Sequence, residues 1–314
     1  MVNRTAGYLA MLTLLLAGSG SLSAQGSATS DPITARLMQR LGALSADSME
    51  GRRAGSVGAA RARRWIIGEL TAMGAQPAGA VFEVPVKLTA RGTGTDTAGA
   101  NVVVRIPGTR RDGPVMVLSA HYDHLGVRNG EVFNGADDDA SGCVALLLIA
   151  ERLLREPPQH DVVLAFFDAE ETGMQGSRAF VAAPPVPLER IAFNLNLDMI
   201  ARQDGKALWV AGTSHTPALK AIAEPVTSKA GVTVRYGHDT KDLKPGDDWT
   251  RSSDHASFHA KGIPFLYLGV EDHADYHKPG DDADKIDATF YRATVEVAYA
   301  LLRAVDAKLE TLRR

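Results

Sequence analysis

The sequence predicts an α/β protein, a three-layer α/β/α sandwich with a central mixed, largely parallel sheet. Its five apolar runs, rich in β-branched residues, cover residues 101–106, 115–120, 162–167, 191–197 and 263–268. They are apolar throughout rather than at alternate positions, which is typical of strands buried on both faces by helices. Helical patterns at 141–154, 174–181 and 217–229 separate them, as expected for strands joined by crossover helices.

Two helices and a strand precede this alternation. Asp31 and Pro32 are typical of a helix start, since aspartate favours the cap and proline the first helical position. A second helix is predicted over 56–73 and a strand over 82–88. The small and polar residues 89–99 favour a loop or hairpin tip. Residues 286–312 close the chain as a helical stretch.

Residues 1–24 have the pattern of a cleavable signal peptide. Arg4 supplies a positive start, and the apolar run 9–17 is too short to span a bilayer. No cysteine lies at the predicted cleavage site just after that run, so a lipoprotein anchor is not expected, nor is any stable membrane anchor. We therefore predict a single periplasmic or secreted domain over residues 25–314.

The composition excludes two function classes. A formal charge of −3 on 314 residues is not that of a nucleic-acid-binding protein. The one cysteine, Cys143, lies in an apolar helical pattern, which indicates a small core residue rather than a nucleophile. With one cysteine, no intrachain disulfide is possible.

Three consecutive aspartates, Asp137 to Asp139, stand in the turn N-G-A-D-D-D-A-S-G at residues 134–142. Like charges this close repel unless a cation neutralises them. Asp139 and Ser141 also suit the N-terminal cap of the apolar helix that follows. Taken alone, the turn is compatible with a metal site and with an ordinary capped turn.

Ionisable residues also follow three of the predicted strands, namely His121, Asp123, His124, Asp168, Glu170, Glu171 and Asp198. Sites in such sheets lie beyond the carboxyl ends of the strands, so we expect these side chains to meet. Imidazole with several carboxylates and no thiolate suits zinc, or less selectively manganese or cobalt. The excess of carboxylates suits two divalent ions, and a final histidine for the second would be His255, His259, His273 or His277.

Some of these residues have predicted roles other than binding the metal. The carboxylate of Asp123, two residues after His121, is placed to orient the imidazole ring. Adjacent Glu170 and Glu171 do not both suit one ion. One of them can bind while the other takes a proton from water.

Six blocks together resemble the co-catalytic di-zinc aminopeptidase family, the secreted bacterial leucyl-type aminopeptidases, whose relatives include glutamate carboxypeptidase and the glutaminyl cyclases. The blocks are S-A-H-Y-D-H-L-G (119–126), N-G-A-D-D-D-A-S-G (134–142), F-F-D-A-E-E-T-G (166–173), N-L-D-M-I (196–200), S-D-H-A-S-F (253–258) and Y-H-K-P-G-D-D (276–282). They occur in the family's order, and their combination is far more specific than any single block. The 82–101 interval has no room for the protease-associated domain inserted in many relatives.

The resemblance implies a role for each matching residue. His121 and Asp198 would bind one zinc, Glu171 and His277 the other, and Asp138 would bridge them. Glu170 would be the general base, with Asp123 supporting His121. Asp254 and Tyr276 would line the substrate site, although Tyr276 equally fits a packing role.

The implied activity is that of a zinc exopeptidase that removes N-terminal residues from peptides with a free amine, through a metal-bridging water activated by a glutamate. Two alternatives have different signatures: a glutaminyl cyclase normally holds one zinc, and a non-catalytic protein of this fold would lack Glu170 or a ligand. The preferred N-terminal residue, the native metal and the oligomeric state are not readable from the sequence. The position of the charged loop 236–249 also stays open.

Overall fold

A computed structural model shows which elements the predicted runs form. It describes residues 1–2, 31–89, 96–110, 112–240, 242–244 and 246–312. Within these residues, Pro32–Arg314 is one compact unit. Residues 3–24 of the predicted signal peptide and 90–95 of the predicted loop lie outside the described residues.

Eleven strands are present in the described part of the chain. They are β1 (Gln76–Pro77), β2 (Glu83–Thr89), β3 (Asp96–Ile106), β4 (Val115–His121), β5 (Gly126–Arg128), β6 (Glu131–Phe133), β7 (Asp161–Phe167), β8 (Ile191–Leu197), β9 (Leu208–Ala211), β10 (Val234–Tyr236) and β11 (Phe265–Gly269). Nine of these form one sheet in the order β1-β3-β7-β4-β8-β11-β9-β10, with β2 also paired to β3, while β5 and β6 form a small separate hairpin.

The centre of the sheet is parallel and its edges are mixed. β7, β4, β8 and β11 pair in parallel, whereas β3 pairs antiparallel with β7 and β9 antiparallel with β11. This arrangement confirms the predicted fold class.

Seven α-helices are described, namely α1 (Pro32–Leu44), α2 (Val57–Ala72), α3 (Gly142–Arg155), α4 (Gln175–Ala182), α5 (Pro217–Thr227), α6 (His255–His259) and α7 (Ala288–Asp306). Alternate residues of the central strands point into two separate hydrophobic clusters. The larger cluster joins the sheet to α1, α2, α3, α5 and α7, and the smaller one joins it to α4 and α6. The sheet is therefore buried on both faces, which explains the continuous apolar runs of the sequence.

The boundaries depart from the predictions at two places. β3 begins at Asp96, so residues 96–99, predicted as loop or hairpin tip, belong to a strand whose pairing with β2 runs to Thr89 opposite Asp96. The run predicted over 263–268 begins as a strand only at Phe265. Its first residues, Ile263 and Pro264, precede the ladder, since proline has no N–H to donate to it.

None of the helices in the described ranges has the length and apolar character needed to cross a bilayer.

Candidate metal centre

The predicted site residues converge at one edge of the sheet. β7, β4 and β8 are neighbours, and in the chain Asp168, His121 and Asp198 stand at or directly after their carboxyl ends. The turn that carries the three aspartates precedes α3, which packs against β4.

Asp138 lies between two groups of metal-binding side chains. Its Oδ1 is 3.2 Å from Nε2 of His121, which is also 3.5 Å from Oδ1 of Asp198. Its Oδ2 is 3.1 Å from Nε2 of His277, which is 3.3 Å from Oε2 of Glu171. The predicted ligands are thus all brought together, and the two oxygens of one carboxylate face the two halves of the set.

The other two aspartates of the turn, Asp137 and Asp139, accept hydrogen bonds from backbone N–H groups. Asp139 accepts hydrogen bonds from the N–H groups of His121 (3.1 Å) and Gly142 (2.8 Å), the latter at the start of α3. Asp137 accepts one from Ala201 N–H at 2.7 Å. Of the three aspartates, Asp138 is the one whose carboxylate oxygens face His121 and His277.

Hydrogen bonds from Arg52 and to Asp281 fix the backbone of the turn. Asp281 accepts hydrogen bonds from the N–H groups of Asp137 and Asp138, each at 3.1 Å. Arg52 is fully buried and donates to the carbonyl oxygens of Leu44, Tyr122, Asn134 and Gly135, so it ties the turn to the end of β4. Gly135 has φ +53°, and a Cβ there would lie 2.0 Å from the carbonyl oxygen of Asp138, so only glycine fits.

His124 belongs to the centre although the sequence analysis gave it no role. Its ring is buried, and Nδ1 lies 2.6 Å from Oε1 of Glu171 and 3.7 Å from Oδ2 of Asp138. Burial lowers its pKa to about 4, so the imidazole is neutral and able to bind a cation. Its place as the second histidine of H-Y-D-H (121–124), at the end of a predicted strand, is the sequence feature that could have identified it.

Asp123 connects the end of β4 with the glutamate pair. His121 Nδ1 is 3.0 Å from the backbone carbonyl oxygen of Asp123 and 3.6 Å from its Oδ1. The same Oδ1 accepts a hydrogen bond from Glu170 N–H at 3.0 Å. In this structure the ring of His121 is therefore oriented by the main chain at residue 123, while the carboxylate positions Glu170.

Glu170 and Asp254 share an acidic environment. Burial raises the pKa of Glu170 well above its usual range, and the charges of Asp254, Asp198 and Glu171 act in the same direction. Burial raises the pKa of Asp254 to about 7. Burial likewise raises the pKa of Glu171, to about 8. A cation between these groups would relieve the repulsion that burial makes expensive.

The other candidate histidines lie outside the two groups. His255 is buried, with Nε2 2.8 Å from the carbonyl oxygen of Trp249. The His259 ring packs against His215 and Phe265. His273 Nε2 is 3.4 Å from Oδ2 of Asp137, behind the turn. Of the four candidates, only His277 reaches Asp138.

A cavity of about 670 Å³ opens over the centre. Its wall includes Tyr276, whose ring stacks on His277 at 3.9 Å between centroids. The loop 236–249 supplies His238 and Trp249, stacked at 3.7 Å, with His238 Nε2 3.1 Å from Oε1 of Glu271. This loop therefore forms part of the cavity wall.

The donor set fits divalent zinc. Carboxylates and imidazoles are zinc ligands, and two groups of three lie close enough to hold an ion, namely His121, Asp138, Asp198 and His124, Asp138, Glu171. Oε1 of Glu171, a predicted ligand, is buried without a hydrogen-bond partner among the described residues. Buried polar atoms are rarely left unpaired, so such atoms are expected where a ligand takes their lone pairs.

Comparisons with known proteins identify the family. The family model described as peptidase family M28 matches residues 101–302. The uncharacterised protein YfbL of Escherichia coli K12 is 26% identical over 223 residues, which cover 61% of this chain and 67% of that protein. The aminopeptidase YwaD of Bacillus subtilis is 27% identical over 212 residues, or 61% of this chain and 41% of the relative's length.

Solved structures share the fold at low sequence identity. A leucine aminopeptidase precursor from Bacteroides thetaiotaomicron superposes with a TM-score of 0.70 at 20% identity, covering 86% of this chain and 96% of that one. A glutaminyl cyclase from the same organism gives 0.69 at 18% identity, covering 86% and 97%. The architecture is therefore common to both enzyme types.

Proposed function

Because the chain belongs to peptidase family M28, we propose that it is a zinc-dependent aminopeptidase that removes N-terminal residues from peptides. The observation that carries the proposal is the position of Asp138, whose two carboxylate oxygens face two separate sets of ligands. One carboxylate shared in this way suits a pair of divalent ions.

Two Zn²⁺ ions would be held by the residues that surround Asp138. His121 and Asp198 would complete one site, and Glu171 with His277 the other, with Asp138 common to both. His124 stands beside Glu171 and would orient that carboxylate. When bound, zinc would supply Lewis-acid chemistry, which makes water more acidic and a carbonyl more electrophilic.

Glu170 is the proposed general base. It lies next to Glu171, lines the cavity, and is positioned by the Asp123 carboxylate through its own N–H. Burial raises its pKa, and a more basic carboxylate accepts a proton more readily. Glu170 would take a proton from the attacking water and return it to the leaving amine.

The substrates are proposed to be peptides with a free N-terminus. Asp247, Glu271 and Asp272 line the cavity together with the carboxylates of the centre, which suits the positive charge of an α-amine. The proposed leader over residues 1–24 would direct the enzyme to the periplasm or the exterior.

The test is metal content and activity on the same purified protein, residues 25–314. We expect about two zinc ions per chain by elemental analysis, and hydrolysis of aminoacyl-p-nitroanilides only when the amine is free. One zinc per chain with cyclisation of N-terminal glutamine would move the chain to the cyclases. Absence of both metal and turnover would overturn the proposal.

A further inference from the structure

A second groove adjoins the catalytic cavity. It has a volume of about 570 Å³ and is lined by residues of α4, of α6 and of the segments that flank α6. The two cavities share Met174 and Arg178, so the groove continues the site rather than lying apart from it. In the chain, α4 follows the glutamate pair and α6 follows Asp254.

The groove has small side chains in its lining and a basic rim. Ala182, Ala256 and Ala260 contribute only methyl groups. Arg178, Arg251 and Lys261 are exposed cations along its edge. No aspartate or glutamate lines it.

These three cations have no carboxylate partner. Among the described residues, none of them forms an ion pair, although most other arginines of the chain do. Asp248, three residues before Arg251, accepts hydrogen bonds at Oδ1 from the N–H and the hydroxyl of Thr250 and forms no ion pair with Arg251 within the described part of the chain. The rim is therefore free to pair with an anionic group.

The two cavities differ in their balance of charge. Apart from Arg178, which lines both, the charged residues of the catalytic cavity are carboxylates, among them Asp247, Glu271 and Asp272, whereas those of the groove are all cations. A short peptide has the same polarity, with an ammonium at one end and a carboxylate at the other. Electrostatic complementarity of this kind fixes orientation and favours one substrate over its neutral analogue.

We propose that this groove is the subsite for the leaving part of the substrate, where Arg178, Arg251 and Lys261 bind a carboxylate one or two residues beyond the scissile bond. The inference rests on the proposed aminopeptidase function and names its substrate class. The carboxylate is either the C-terminus of a di- or tripeptide or an acidic side chain of a longer one. A tripeptide spans roughly 10 Å when extended, and the groove adjoins the catalytic cavity at Met174 and Arg178.

The experiment compares substrates that differ by this one charge. X is the residue whose p-nitroanilide is cleaved fastest. X-Gly-Gly is measured against X-Gly-Gly-NH₂, and X-Gly-Glu-NH₂ against X-Gly-Gln-NH₂. We expect kcat/KM about fivefold higher for the charged member of at least one pair, the scale of an exposed ion-pair network. The preference should reside in KM and decline with added salt, since exposed charges are screened.

The variant Arg251→Gln/Lys261→Gln should bring the charged-to-neutral ratio close to one. The matched control Lys229→Gln/Lys308→Gln changes the net charge equally at exposed positions outside the groove and should keep the wild-type ratio. A preference only in the first pair identifies the C-terminus as the ligand, and one only in the second identifies an acidic side chain.

Equal rates within both pairs in the wild type, beside normal cleavage of the p-nitroanilide, would overturn the subsite and leave the aminopeptidase function standing. A preference that survives in Arg251→Gln/Lys261→Gln would also overturn it. Failure to cleave any p-nitroanilide, peptide or amide would overturn the proposed function instead, and the subsite with it.

Discussion

Nδ1 of His124 lies 2.6 Å from Oε1 of Glu171, while Nε2 of His277 lies 3.3 Å from Oε2 of the same carboxylate. Two imidazoles thus lie close to different oxygens of the Glu171 carboxylate. Their surroundings differ, since the side chain of His124 is fully buried and that of His277 is 39% exposed. The exposed ring faces the cavity and the buried ring supports Glu171 from the protein side, so we assign them different roles.

We predict that His277→Ala leaves about one zinc per chain at saturating metal, because it removes a ligand of the second ion. His124→Leu should still reach two zinc ions but bind the second one about 10–100-fold more weakly, the usual effect of losing a residue that orients a ligand. Titration with zinc against a competing chelator measures both quantities. The reverse pattern, with one ion lost in His124→Leu only, would exchange the two roles.

Glu170→Gln is predicted to keep its metal and lose nearly all turnover. The amide preserves the size of the side chain but cannot accept a proton, and loss of a general base costs about 10²–10⁴-fold in kcat. Elemental analysis measures the zinc content, and p-nitroanilide kinetics on the same preparation measure kcat. Rates close to those of the wild type would remove Glu170 from the role of base.

Asp138→Asn is predicted to lower zinc occupancy at both sites, because the amide has one acceptor oxygen and no charge to share between two ions. The neighbouring variant Asp137→Asn is the comparison, since Asp137 accepts backbone hydrogen bonds and faces away from the ligands. Inductively coupled plasma analysis after dialysis gives the occupancy. Full occupancy in Asp138→Asn would show that this residue does not bridge.

The sequence predicted the sheet because strands depend on local pattern, while the ligand assignments came from the family resemblance. Strands buried on both faces require continuous apolar runs, and His121, Glu171 and Asp198 stand where such strands end. The family resemblance is confirmed by the match to peptidase family M28. The assigned roles of the individual ligands, the base and the leader stay predictions.

What sequence reasoning missed depends on how distant segments meet. The role of His124 is decided by the turn after β4, which aims its ring at a glutamate 47 positions further on. The loop 236–249 carries charge that suits solvent, yet stacking of His238 on Trp249 and the contact with Glu271 place it in the cavity wall. Neither relationship has a periodicity that a sequence window detects.

Arg52 is the clearest case of a residue without a sequence signal, and it supports the last prediction. Its guanidinium is fully buried and donates to four carbonyl oxygens from three separated segments. Arg52→Met keeps the apolar stem but leaves those acceptors unpaired, and each buried unpaired group costs about 1–3 kcal/mol. We therefore predict that the free energy of unfolding of the metal-free protein falls by about 3 kcal/mol or more. Urea denaturation measures it, with Arg61→Met as the control, because Arg61 forms a half-exposed ion pair with Glu50 and should change stability by less than about 1 kcal/mol. Equal losses in the two variants would mean that the four carbonyl bonds of Arg52 contribute no more than a surface pair.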